Sequence, residues 1–123
     1  MSERENVSDL FAQLMRADKH TFPLFGPVNA TKQNGVYILQ DHYNRIAHVG
    51  RTTRAKNGMD QRYGDHLNGN SSSFGREYLG GQGNLLREEG YKYSHLVVEN
   101  ARLRALLEHR AIGELCPLHL GVG

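Results

Sequence analysis

Residues 35–52 read GVYILQDHYNRIAHVGRT, and this stretch decides the fold. The run Gly35–Gln40 is rich in β-branched and aromatic side chains, which is typical of a buried strand. The polar segment Asp41–Asn44 predicts a hairpin loop, and Arg45–Gly50 predicts a second strand that returns beside the first.

The segments on either side of this hairpin alternate between helical periodicity and polar or Gly/Pro-rich breaks. We predict a helix at Val7–Arg16, a connector at His20–Gln33, a helix from the Asn57 cap to Asn68–Gly69, an irregular stretch at Asn70–Asn84 with a short helix near Phe74–Leu79, a strand at Tyr91–Val98, and a helix from the Asn100 cap to Pro117. This order predicts an α/β (α+β) protein, in which a small, three-stranded, mostly antiparallel sheet is flanked by helices. We expect one compact unit, with an N-terminal helix and connector at 1–33 and the main domain at 34–123.

Charge is concentrated in one part of the chain. The 123 residues contain 15 Lys and Arg against 13 Asp and Glu, and a net charge of +2 is too small to indicate a partner. Between Arg45 and Arg62, however, there are five basic residues and only Asp60 as an acid. Such a stretch either binds a phosphate-rich ligand or forms a solvated arginine-rich loop, and charge by itself leaves both open.

Composition also restricts the cellular setting. A hydrophobic fraction of 38% supports a modest core and argues against disorder. The single cysteine excludes an intrachain disulfide and a cysteine-based zinc cluster. The charged N-terminal residues do not resemble a signal peptide, and no apolar run approaches the ~20 residues of a membrane span. We therefore expect a soluble, cytoplasmic protein without a membrane partner.

Six side chains with suitable chemistry are predicted to converge on one surface: Tyr37, His48, Arg51, Arg62, His66 and Glu108. With a four-residue hairpin loop, Tyr37 and His48 lie opposite each other and point to the same face. Arg62 and His66 are four apart on a predicted helix and share a face. A phenol or imidazole can accept a proton from water, guanidinium groups match phosphate oxygens, and a single carboxylate suffices to hold Mg²⁺. These residue types suit the hydrolysis of a phosphodiester.

Each of these residues also has an ordinary structural interpretation. Tyr37 is then a half-buried strand tyrosine and His48 a core histidine, while Arg62 lies at the surface. Glu108 is then a solvated helix residue that pairs with Arg104 one turn earlier, a contact worth only ~0.3–0.5 kcal/mol.

The order of these elements resembles the GIY-YIG nuclease family. The resemblance lies in GVY at 35–37, ten intervening residues, HVGRT at 48–52, Arg62-x-x-x-His66 and the later helical Glu108, and it covers roughly residues 34–120. It implies a three-stranded antiparallel sheet and a metal-dependent endonuclease that cuts nucleic acid, expected to be double-stranded DNA, with Mg²⁺ or Mn²⁺. Double-strand cleavage would need a homodimer or reorientation of the protein.

The resemblance also implies roles for individual residues. Tyr37 is the general base or its close helper, Glu108 is the metal ligand, and Arg62 clamps the scissile phosphate. His66 assists proton transfer or binds phosphate. Arg51 stands where the family often has a Lys, Arg or Gln near the phosphate.

Two positions depart from the family pattern. His48 replaces the tyrosine that begins the second motif, and imidazole can donate, accept and position water. The asparagine usually found after the glutamate helix is missing from Pro117–Gly123, where His119 is a candidate substitute. An alternative is therefore a catalytically weakened GIY-YIG-like module that binds nucleic acid without cutting it. A third hypothesis is an interaction protein whose tyrosine-rich sheet meets another protein.

Overall fold

The computed structural model describes residues 1–53 and 56–121, so Arg54 of the basic stretch and Val122 and Gly123 of the tail lie outside the described residues. The elements in chain order are α1 (Glu3–Arg16), β1 (His20–Thr21), β2 (Gly35–Gln40), β3 (Ile46–Arg51), α2 (Gly58–Asn68), a π-helix (Phe74–Tyr78), α3 (Leu85–Glu88), β4 (Lys92–Val97) and α4 (Ala101–Leu115). The predicted α+β class is confirmed.

The strands form one antiparallel sheet in the order β1-β4-β2-β3. The expected count of three strands is wrong by one. The additional strand, β1, lies in the segment predicted as a connector and pairs with the outer side of β4. Two residues are too few to show an alternating pattern in the sequence, so this strand exists only through its partner. His20 pairs with Tyr93, and their ring centroids lie 5.4 Å apart.

The register of the central hairpin differs from the prediction. Tyr37 lies opposite Gly50, and His48 lies opposite Leu39. The pairing shifts at a bulge between Leu39 and Gln40, and the turn brings the Asp41 N–H to the Arg45 carbonyl at 3.0 Å. The total displacement of two residues is even, so Tyr37 and His48 still share a face as expected.

Gly50 is required by this register. Its backbone lies under the phenol of Tyr37, and a Cβ there would overlap the ring hydroxyl and its neighbouring carbons. Thr52 then closes the strand pair, because its hydroxyl accepts from the Gly35 N–H at 3.1 Å while its own N–H donates to the Gly35 carbonyl at 3.0 Å.

The two sides of the sheet bury different side chains. One side, which we call the aliphatic face, packs under α1 and α4 and contains Leu14, Val36, Ile38, Val49, Val98, Leu107 and Ala111. The other, the aromatic face, lies against α2 and the π-helix and contains Phe22, Val28, Tyr37, Leu39, Ala47, Met59, Tyr63, Phe74, Leu79, Leu86, Tyr91 and Tyr93. Strand alternation sends successive residues of β2 to opposite faces.

The helix ends follow local capping rules. The Ser2 side chain caps α1, which starts four residues before the prediction, and the Asn100 side chain accepts from the Leu103 N–H at 3.0 Å. α2 begins and ends where predicted, with Gly69 in the left-handed conformation, although the Asn57 side chain makes no capping bond. Instead, Asp60 in the first turn accepts from Ala30 and Thr31 N–H at 2.7 and 2.9 Å, which ties the connector to α2. Within the described residues, no helix has the length and apolar character that crossing a bilayer requires.

Candidate active site

A cleft of about 510 Å³ opens beside the edge strand β3, between α2 and α4. We call it the β3 cleft; its lining residues include five of the six predicted site residues, Tyr37, His48, Arg51, Arg62 and Glu108, together with Ser73, Leu120 and Gly121. The sixth, His66, lies behind Tyr37 and does not line the cleft. Both faces of the sheet contribute, since His48 lies on the aromatic face and Arg51 pairs with Val36 of the aliphatic face.

Tyr37 stands at the back of the β3 cleft and is fully buried. Its hydroxyl is 2.6 Å from Nε2 of His66. Burial raises the pKa of Tyr37 to about 12, although the nearby Arg62 charge acts in the opposite direction. The phenol therefore keeps its proton at neutral pH and holds it against a neighbouring imidazole.

His66 connects Tyr37 to the polypeptide backbone. Its Nδ1 is 2.8 Å from the Ser72 hydroxyl, which in turn accepts from the Gly75 N–H at 3.0 Å. Burial lowers the pKa of His66 well below its usual value, and the neighbouring His48 and Arg62 lower it further. The imidazole is thus neutral and lies within hydrogen-bond distance of Tyr37, behind the residues that line the cleft.

The cationic side of the β3 cleft is formed by Arg62 and Arg51. Arg62 donates to Asp65 one turn later at 3.1 Å, and its side chain remains 29% exposed. Arg51 donates through Nη1 to Oε1 of Glu108 at 2.7 Å. Both arginines line the same opening, and each of them is paired with a carboxylate.

Glu108 is the carboxylate of the site, presented by α4 with its side chain 17% exposed. The alternative interpretation, in which Glu108 pairs with Arg104, does not hold: Arg104 is buried and donates to the Val98 and Glu99 carbonyls at 3.0 and 3.2 Å. Arg104 is committed to the backbone that precedes α4, and Glu108 therefore pairs across to β3.

The donor chemistry fits a hard divalent cation with few protein ligands. In the described part of the chain, no group of three or more His, Cys, Asp or Glu residues is placed to hold a metal ion, and Oε2 of Glu108 has no hydrogen-bond partner. A carboxylate oxygen facing an open polar cleft suits Mg²⁺, which keeps several waters and commonly uses one or two carboxylates. A cation here would have Glu108 as its protein ligand.

A hydrogen-bonded chain that the sequence revealed only in part runs from His48 to the protein surface. His119 lies beside β3 because its N–H donates to the Ala47 carbonyl at 2.9 Å, and its Nδ1 is 3.1 Å from Nδ1 of His48. Its Nε2 is 2.8 Å from the Glu77 carboxylate. Sequence reasoning suggested His119 but missed Glu77, which lies in the irregular stretch where no periodicity indicates what it faces.

Solved structures that are similar to this chain include the GIY-YIG N-terminal endonuclease domain of UvrC from Thermotoga maritima. The domain bound to its catalytic magnesium has a TM-score of 0.53 and 22% sequence identity, covering 75% of this chain and 88% of that chain. A tyrosine-to-phenylalanine variant and an asparagine-to-alanine variant, each bound to the catalytic divalent cation, give the same TM-score and identity over 76% of this chain and 88% of theirs. No family model and no curated protein matches the chain. The chain has the GIY-YIG nuclease fold, and the resemblance predicted from sequence is confirmed at that level.

Proposed function

We propose that this protein is a metal-dependent endonuclease that hydrolyses phosphodiester bonds in DNA. The observation that carries the proposal is the convergence of Tyr37, Arg62 and Glu108 on the β3 cleft, although they lie far apart in the sequence. A proton-transfer group, a phosphate-binding cation and a metal-binding carboxylate are three groups that metal-dependent phosphodiester hydrolysis uses. The fold that this chain shares with a magnesium-bound endonuclease domain supports the same function.

We propose residues 34–123 as the nuclease domain. Its site residues have different roles in the reaction. Arg62 and Arg51 bind the oxygens of the scissile phosphate and stabilise the charge that develops on them. Tyr37 is the general base or its helper at the attacking water, and His66 assists by hydrogen-bonding the phenol at 2.6 Å, which orients its oxygen. His48 lies beside Tyr37, with ring centroids 6.0 Å apart, and can also exchange protons with that water.

Glu108 holds Mg²⁺ or Mn²⁺, which supplies Lewis-acid stabilisation of the phosphoryl oxygens when bound. For this, Arg51 must share the carboxylate through Oε1 or turn toward the phosphate. Substrate favours the second arrangement, because a phosphate offers the Arg51 guanidinium another anionic partner.

We also propose a cellular location and an oligomeric state for the protein. We place the protein in the cytoplasm, on the support of its single cysteine. One β3 cleft cuts one strand, so we propose that cutting both strands of a duplex requires a second copy, as a homodimer, or release and reorientation.

Cleavage of supercoiled plasmid and of end-labelled duplex tests the activity. With Mg²⁺ or Mn²⁺, we expect wild-type protein to cut, and Glu108→Gln to lower the rate by about 100-fold or more, since several kcal/mol of transition-state stabilisation depend on the bound cation. Tyr37→Phe should lower it by about 10²–10⁴-fold. The matched control is Glu114→Gln, which makes the same change in an exposed residue of α4 that pairs with Arg110.

Two results would contradict the proposal: a wild type that cuts neither DNA nor RNA, or a Glu108→Gln protein that cuts as fast as wild type. The Arg51–Glu108 ion pair, which covers one carboxylate oxygen, favours a second candidate, the nucleic-acid-binding module without turnover. Steeply salt-dependent binding without metal-dependent cleavage selects that candidate. Salt-insensitive association with a protein and no affinity for nucleic acid would select the interaction protein instead.

A further inference from the structure

The chain Glu77–His119–His48 links the protein surface to the β3 cleft through two imidazole rings. The contacts are 2.8 Å from Glu77 Oε1 to His119 Nε2, and 3.1 Å from His119 Nδ1 to His48 Nδ1. The two histidines are 8% and 7% exposed, whereas the Glu77 side chain is 63% exposed. The His48 ring also stacks on Phe74, with centroids 4.9 Å apart, which fixes its plane.

Hydrogen-bond chemistry assigns a direction to this chain. An ionised carboxylate can only accept, so Nε2 of His119 carries the proton in the contact with Glu77. In a neutral imidazole the other nitrogen is then a lone-pair acceptor, so Nδ1 of His119 accepts and Nδ1 of His48 donates. The proton of neutral His48 is thereby placed on Nδ1, and its Nε2 is left with a free lone pair.

The residue that carries this lone pair lies at the β3 cleft. Nε2 of His48 has no hydrogen-bond partner among the described residues. The buried side-chain nitrogen and oxygen atoms without partners in this part of the chain are Asn34 Oδ1 and Arg104 Nε, and Nε2 of His48 is not one of them. His48 lines the cleft together with Tyr37 and Arg62. A water beside the bound phosphate would therefore meet an acceptor nitrogen.

We propose that Glu77 and His119 are positioning residues that hold His48 as its Nδ1–H tautomer, so that Nε2 of His48 accepts the proton of the attacking water. This assignment rests on the proposed nuclease function and gives Tyr37 the helper role, as a phenol that orients the water. As the water oxygen bonds to phosphorus, its proton passes to Nε2, and the bond from phosphorus to the leaving sugar oxygen breaks. The leaving oxygen takes the electron pair and a proton from solvent, and His48 later returns its own proton to solvent.

The same chain disperses the charge that this step creates. When Nε2 of His48 gains a proton, the Nδ1 proton can move to His119, whose positive charge then lies against the Glu77 carboxylate. Burial lowers the pKa of His48 to about 3, and the neighbouring His119 and Arg62 act in the same direction, so the ring is neutral before reaction. A bound phosphodiester offsets the Arg62 charge and makes the proton easier to accept.

Nitrogen chemical shifts of the histidine rings test the tautomer directly. In two-bond ¹H–¹⁵N spectra of the wild-type protein at neutral pH, we expect His48 protonated on Nδ1 and His119 protonated on Nε2. Glu77→Ala should convert both rings to tautomer mixtures, while the exposed Glu89→Ala, the matched control, should leave them unchanged. His48 protonated on Nε2 in the wild type, or unaltered rings in Glu77→Ala, would overturn the proposal.

Kinetics test the consequence for the reaction. We expect His119→Ala to lower kcat by about 10–100-fold with KM unchanged, the range for residues that orient a reacting group. His119→Asn should recover part of this loss, because the amide oxygen can accept from Nδ1 of His48. An active wild type and a His119→Ala protein with equal kcat would refute the relay and leave the nuclease function standing. If the wild type does not cut at all, the nuclease function fails, while the spectra still decide the tautomer.

Discussion

The two faces of the sheet use the same four strands for different purposes. The aliphatic face buries alkyl side chains between β2, β3 and the helices α1 and α4. The aromatic face buries hydroxyls and imidazoles, and those of Tyr37, His48 and His66 are linked in hydrogen-bonded chains that lead to the β3 cleft. Burying a polar group costs free energy unless the group is hydrogen-bonded. The hydroxyls and imidazoles of the aromatic face therefore need hydrogen-bond partners, whereas the alkyl side chains of the aliphatic face need only close packing. We infer that the aliphatic face contributes mainly packing, whereas the aromatic face combines packing with a buried polar network.

The largest expected effect on stability lies on the aliphatic face, at Leu107. Its side chain is fully buried between α4 and the sheet, and Leu107→Ala removes three buried carbons and leaves a cavity. We expect a loss of about 2–5 kcal/mol in the free energy of unfolding. Urea denaturation measures it, with the half-exposed Leu118→Ala as control. A loss of less than about 1 kcal/mol would show that Leu107 is not tightly packed on this face.

The aromatic face should be the one that responds to pH. His48 and His66 are held neutral, with pKa values below those of unfolded histidine. Because the unfolded chain then binds more protons, stability falls as pH drops below about 6.5, by up to about 1.4 kcal/mol per pH unit for each ring. Unfolding midpoints between neutral pH and about pH 5 measure this slope. His66→Asn should flatten it and the exposed His42→Gln should not; an unchanged slope in His66→Asn would remove this distinction between the faces.

A smaller and more selective effect is expected from two glycines. Gly50→Ala places a methyl group against the Tyr37 phenol and should cost about 1–3 kcal/mol, with loss of cleavage because Tyr37 must move. Gly64 in α2 has open space around its Cβ position, so Gly64→Ala should stabilise the protein by about 0.5–1 kcal/mol through helix propensity. Thermal unfolding and plasmid cleavage separate the two, and equal shifts would show that the close approach at Gly50 is unimportant.

Much of the fold could be predicted because the relevant signals are local. The apolar run Gly35–Gln40 forms β2 with the predicted bounds, and Asn100 caps α4 as its position indicated. The register of the hairpin could not be predicted, since a bulge changes residue pairing without altering the alternation of side chains. Strand β1 likewise depends on a partner more than 70 residues away along the chain.

The candidate site divides in the same way. Residues carried by regular elements, such as Arg62 and His66 four apart on α2, could be assigned to one helix face. Glu77 could not, because it lies in a π-helix within a Gly- and Ser-rich stretch without periodicity. The partner of Glu108 was also missed, because the buried Arg104 is used by backbone carbonyls that only the folded chain brings near.

The hydrogen bonds from Leu118 and His119 to Ile46 and Ala47 have a practical consequence for handling this protein. They cover part of the outer edge of β3, an edge that would otherwise be open to pairing with another chain. Proteolysis near Pro117 would therefore expose the unpaired edge of β3 and would also remove the His119 imidazole beside the cleft. Protein cut at this position should therefore aggregate more readily than the intact chain.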